Sequence, residues 1–114
     1  MTTNSAVVKI GTTSVTDASG GVDYSVLVSI ASDVVKLRSE GLNIVVVTSG
    51  AITAGWAEVG KGSSRPTDAQ TLQAVSAVGQ PLLMHAWRNA FAEFHTAVGQ
   101  VLLCLLYTSD AADE

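Results

Sequence analysis

Two short stretches of the chain hold residue types suited to gripping an anion. Lys9 lies inside the apolar run Ser5-Ala-Val-Val-Lys-Ile10 and is followed by Gly11-Thr-Thr-Ser14. Lysine is almost never fully buried without a partner, so either an anion meets Lys9 or its stem carries the ammonium to water or to a structural carboxylate. The turn after it offers backbone N–H groups and hydroxyls of the kind that hold phosphate oxygens. The second stretch is Thr48-Ser-Gly-Ala51, where an apolar run passes directly into a helical pattern. A helix that starts there has unpaired N–H groups and a partial positive charge, and Gly50 lets a ligand approach the backbone. A carboxylate or a phosphate is the natural guest. Ser49 could equally serve as a helix cap, and the two roles are compatible.

Other chemistries fit poorly. A serine-hydrolase elbow would need glycine where Val47 stands. The glycine spacings of a Walker loop and of a dinucleotide fingerprint are absent after the first run. Cys104, His85 and His95 form no metal-ligand pattern, so no metal-holding residues are expected. Trp56 and Trp87 read as packing or a subunit contact, and Lys36, Arg38, Lys61 and Arg65 as solvated surface. A net charge of −4 argues against a nucleic-acid binder working through a basic face. The longest apolar run, Val101 to Leu106, falls far short of the ~20 residues of a membrane span, and Met1 to Ser5 carry no basic leader. A soluble, cytoplasmic protein is the expectation, without nucleic-acid or membrane partners.

The elements that must position these residues are those of an α/β fold. Ser5 to Ile10 and Asn43 to Thr48 are β-branched runs without polar alternation, which predicts parallel strands buried on both faces. Ala97 to Leu103 is a third strand candidate, weakened by Gly99. Between the first two, Leu27, Ile30, Ala31, Val34, Val35 and Leu37 recur at helical spacing, with Asp23 placed to cap the start and Gly41 the end. This β-α-β unit crosses over right-handed, so both strands end on one edge, where open α/β sheets bind ligands. Ala51 to Glu58 predicts a helix, Gly60 to Pro66 a loop, and Thr67 the cap of a further helix. Leu72, Val75, Val78 and Leu82 can share its inner face. Gly79-Gln-Pro81 is expected to break or kink it before Leu83 to Phe94 continues as helix.

The strings Val7-Val-Lys-Ile-Gly-Thr12, Val45-Val-Val-Thr-Ser-Gly-Ala-Ile52, Leu72-Gln-Ala74 and Ala77-Val-Gly-Gln80 occur in an order and at intervals that resemble the amino-terminal part of the glutamate 5-kinases, within the amino acid kinase family. The resemblance covers Val7 to Leu103. Acetylglutamate and carbamate kinases share the first lysine and a glycine-rich second junction but fit less well. A different class, a non-catalytic α/β module capturing a small anion, remains the alternative. The resemblance implies part of a three-layer α/β/α sandwich with a mostly parallel sheet. It also implies transfer of the ATP γ-phosphoryl group to the side-chain carboxylate of L-glutamate, giving L-glutamyl 5-phosphate, the first step of proline biosynthesis. Lys9 matches the family's phosphate-contacting lysine, with Gly11 and Thr12 beside it. Ser49 matches the glutamate-binding residue, with Gly50 and Ala51 as backbone neighbours. Mg²⁺ would accompany the ATP phosphates, and the family forms homo-oligomers. Its kinase domain is more than twice this long. The half carrying the nucleotide lobe, the Asp and Asn of the glutamate pocket and a second lysine has no counterpart here, so this chain alone is not expected to turn over.

Residues 1–103 are therefore expected to be the amino-terminal part of an amino acid kinase domain, and residues 104–114 a foreign tail. The tail, Cys-Leu-Leu-Tyr-Thr-Ser-Asp-Ala-Ala-Asp-Glu, closely resembles one reading frame of a transposon adapter used in preparing sequencing libraries. It holds Asp110, Asp113 and Glu114, three of the ten carboxylates, so the net charge without it is −1 rather than −4.

Overall fold

The computed structural model describes residues 4–102. β1 spans Asn4–Ile10 and runs into a one-turn helix, α1, over Thr12–Val15. A loop folds back through an isolated bridge between Thr16 and Val22 and leads to α2, Tyr24–Ser39. β2 follows at Leu42–Thr48, then α3 at Ala51–Val59 and α4 at Ala69–Ala92.

The strands form a parallel pair in unbroken register from Asn4 opposite Leu42 to Ile10 opposite Thr48. Side chains of a strand alternate between faces, and here only one face is covered. Val8, Ile10, Ile44 and Val46 pack under α2 and α4, in a core built from Val15, Leu27, Ala31, Val34, Leu83, Trp87, Ala90 and Phe91. On the other face Val7, Val45 and Val47 are 69, 57 and 45% exposed. The expectation of strands buried on both faces is thus corrected for the described residues. Their composition suits a central position, but none of the described elements covers the second face.

α2 begins and ends as its sequence predicts. Asp23 accepts a hydrogen bond from the Val26 N–H at 3.4 Å, and Gly41 turns the chain out of the helix at φ +97°. α4 departs from expectation in three ways. Its cap is Asp68, not Thr67, with the carboxylate accepting from the Thr71 N–H at 2.9 Å. The helix runs through Gly79-Gln-Pro81 without a break. Pro81 and Ala77, whose carbonyl loses its partner there, both face solvent, so water can replace the missing bond. The buried face is Val75, Gly79, Leu83, Trp87 and Ala90, while Val78 and Leu82 are exposed. Beyond Ala92 the chain turns away at His95, which adopts φ +56°, as the Thr96 N–H reaches back to the Phe91 carbonyl at 3.1 Å.

Gly79 explains why the inner face differs. α3 and α4 cross with Gly55 against Gly79, so closely that a Cβ on Gly79 would overlap the Ala51 carbonyl and one on Gly55 the Val75 carbonyl. Glycine here serves helix contact, and its cost in helix propensity, ~1 kcal/mol, is offset by the close approach.

The predicted third strand does not form among the described residues. Val98 packs against the core, but residues 96–102 are not in a strand and Val101 and Leu102 are exposed. Gly99 brings no side chain to pack and leaves the backbone loosely constrained. Leu103 and the tail from Cys104 lie outside the described residues. No helix among those described is long and apolar enough to cross a membrane.

Candidate functional site

Parallel pairing places the exits of β1 and β2 side by side, and one hydrogen bond joins them. The Ser49 N–H donates to the Ile10 carbonyl at 2.9 Å. From this edge two helices start, α1 behind Gly11 and α3 behind Gly50. Neither is capped by a side chain, so first-turn N–H groups at both starts are left for water or a ligand. Gly11 is exposed, with nothing among the described residues within 4 Å of where a Cβ would stand. Gly50 is buried at φ +122°, and a Cβ there would press on Val15 Cγ2 at 3.1 Å. Glycine is required at position 50 by conformation and space together.

The residues selected from sequence therefore fall in two groups at one end of the sheet. Gly11 and Thr12 open α1; Ser49, Gly50 and Ala51 lead into α3. Ser49 is exposed and its hydroxyl has no partner among the described residues. The helix cap is Gly50 and not Ser49, which removes the capping role considered for that serine. Lys9 stands opposite Val47, two residues before Gly11. It is exposed on the uncovered face with Val7, Val45 and Val47, so no burial penalty compels an anionic partner here. Carriage of the ammonium to water is what the described residues display.

Trp87, read from sequence as packing or a subunit contact, is 3% exposed. Its ring lies 6.0 Å from that of Phe91, and its Nε1–H donates to Thr48 Oγ1 at 3.1 Å. Trp56 donates to the Ser63 carbonyl at 3.3 Å and borders a cavity of about 240 Å³ with Thr53, Lys61 and Arg65. His85 is exposed and bonds Asn89 at 3.1 Å. No group of three or more His, Cys, Asp or Glu gathers among the described residues.

Sequence patterning missed two supports of the site. One is the Thr48–Trp87 bond, which spans 39 positions and has no local signature. The other is the seating of Gly79 on the Ala51 carbonyl at the start of α3, hidden because glycine beside proline reads as a helix break.

A sequence profile of the amino acid kinase family matches residues 4–111. The chain belongs to the amino acid kinase family. Among its relatives within the family, it is 47% identical over 102 residues to the glutamate 5-kinase of Mycolicibacterium smegmatis, covering 90% of this chain and 27% of that protein. It is 48% identical over 99 residues to that of Nocardia farcinica, covering 87 and 27%, and 45% identical over 97 residues to that of Thermus thermophilus, covering 85 and 26%. This amino acid kinase chain thus spans about a quarter of the length of the relatives it matches. The profile match continues past Leu103 into the tail.

Proposed function

We propose that this chain is the acceptor-side part of a kinase that transfers the γ-phosphoryl group of ATP, with Mg²⁺ on its phosphates, to the side-chain carboxylate of L-glutamate. The observation that carries the reading is the pair of glycine-led helix starts opening from adjacent parallel strands. It is supported by relatives that bear the name glutamate 5-kinase.

The chemistry asks little of a base. A glutamate side chain, with an ordinary pKa near 4.3, is already ionised at neutral pH. Rate must come from aligning the carboxylate with the γ-phosphorus and from offsetting charge on the transferred group. The Ser49 hydroxyl and the start of α3 suit the carboxylate; Gly11 and Thr12 suit phosphate oxygens. Lys9, on a flexible stem, supplies a positive charge to the group in flight. The partners that complete the nucleotide site belong to sequence beyond this chain, and homo-oligomerisation and a cytoplasmic location accompany the proposal. Residues 104–114 we assign to an adapter translation, on the strength of their own likeness to it.

The test is kinetic, on the full-length protein recovered from source DNA. Glutamate- and ATP-dependent acyl phosphate should be trapped as the hydroxamate. Ser49→Ala should raise the KM for glutamate and leave that for ATP nearly unchanged. Equal activity with other carboxylic acids, or an unaltered glutamate KM in the variant, would count against the assignment.

A further inference from the structure

The bond between Trp87 and Thr48 continues into the site. The indole N–H donates to Thr48 Oγ1 at 3.1 Å, and Thr48 directs its one hydroxyl proton to the Ser49 carbonyl at 3.0 Å. A buried ring is thereby connected, through one hydroxyl, to the peptide joining Ser49 to Gly50. None of the peptide bonds is cis among the described residues, and in a trans peptide the C=O and the following N–H point in opposite directions. Holding the Ser49 carbonyl on the Thr48 side turns the Gly50 N–H the other way. Gly50 itself sits close over Val15, where a Cβ would press on Val15 Cγ2.

We propose that Trp87 is a positioning residue: through Thr48 it orients the Ser49–Gly50 peptide so that the start of α3 presents its N–H groups to the acceptor carboxylate. This rests on the assignment of the acceptor to Ser49–Ala51. The ring itself fills core and would do so as phenylalanine. The N–H is the part whose loss should be felt at the ligand.

The experiment uses the full-length protein, with KM for glutamate, KM for ATP and melting temperature measured for each variant. Trp87→Phe keeps an aromatic ring and loses the donor; Thr48→Val keeps the β-branched shape and loses the hydroxyl; Thr48→Ser keeps the hydroxyl. Losing one neutral hydrogen bond should raise the glutamate KM roughly three- to tenfold in each of the first two, with the ATP KM within about twofold. The double variant should be no worse than the worse single one, because both remove the same chain of bonds. Thr48→Ser should match the parent. A lower melting temperature with unaltered glutamate KM in Trp87→Phe would make the tryptophan merely structural and overturn the proposal, as would additive effects in the double variant. Should Trp87→Phe fail to fold, the Thr48 pair decides: serine like parent and valine impaired supports the relay, both alike refutes it. Ser49→Ala separates the two levels. If it raises the glutamate KM while Trp87→Phe does not, the positioning role alone fails; if it too is silent, the acceptor assignment fails with it.

Discussion

Gly79→Ala should damage stability and substrate binding together. A Cβ at Gly79 would stand 2.5 Å from the Gly55 nitrogen, where ordinary contact begins at 3.4 Å, and would also overlap the Ala51 carbonyl. Backbone on both sides leaves no side chain to swing aside. α3 and α4 must part by more than an ångström to clear the Ala51 carbonyl, enough to forfeit about half or more of the dispersion attraction between atoms they share. Overpacking costs about 1–3 kcal/mol, and an overlap of backbone with backbone belongs at the upper end, about 3 kcal/mol; alanine returns ~1 kcal/mol in helix propensity, leaving a net loss of about 2 kcal/mol. The full-length relatives run to roughly 380 residues, 102 matched residues being 27% of one, and at about 2.1 cal/mol/K of unfolding entropy per residue a loss of that size lowers the melting temperature by roughly 2–3 °C. Because Ala51 opens α3, the displacement begins at the proposed acceptor site, and the glutamate KM should rise with it. Gly99→Ala is the control, since nothing among the described residues lies within 4 Å of its added carbon. Calorimetry and steady-state kinetics on the full-length variants provide the assay. A Gly79→Ala protein that melts within a degree of the parent with an unchanged glutamate KM would refute the close-crossing argument.

Three further outcomes are expected. Lys9→Ala should reduce turnover by roughly 10²- to 10³-fold, the usual loss on removing one donor to developing charge, and turnover within threefold of the parent would exclude that role. The carboxyls of Asp17 and Asp68 are held below their ordinary value of 3.8, Asp17 mainly by the Ser19 hydroxyl and Asp68 mainly by the Thr71 hydroxyl. A depressed folded pKa contributes stability that is present above pH 3.8 and is lost as pH falls through the folded value. Acid unfolding should therefore be less steep in the Asp17→Asn, Asp68→Asn double variant, and an unchanged acid limb would count against it. Amplifying source DNA across the Leu103 codon should replace Cys104 to Glu114 with a polar continuation near Thr-Arg-Asp leading into a nucleotide lobe; recovery of the same codons followed by a stop would sink the adapter assignment.

Local pattern alone determined much of this chain. The β-branched runs around Val7 and Val45, the apolar spacing from Leu27 to Val34 between Asp23 and Gly41, and the Thr48-Ser-Gly-Ala51 junction established a parallel β-α-β unit whose two strands end on one edge. These features are legible because a strand's or helix's preferences are written in neighbours two to four residues apart. What lay beyond reach depended on distant partners. Pro81 stays helical because its side of α4 faces water. Gly79 is an inner-face residue because Gly55 and Ala51 come against it. Ser49 does not cap α3, since Gly50 does so at φ +122° above Val15. Trp87 reaches Thr48 across 39 positions. The exposure of Val7, Lys9 and Val47 is likewise tertiary, because a strand's sequence states how apolar each face is, and only the packing of other elements decides whether that face is covered.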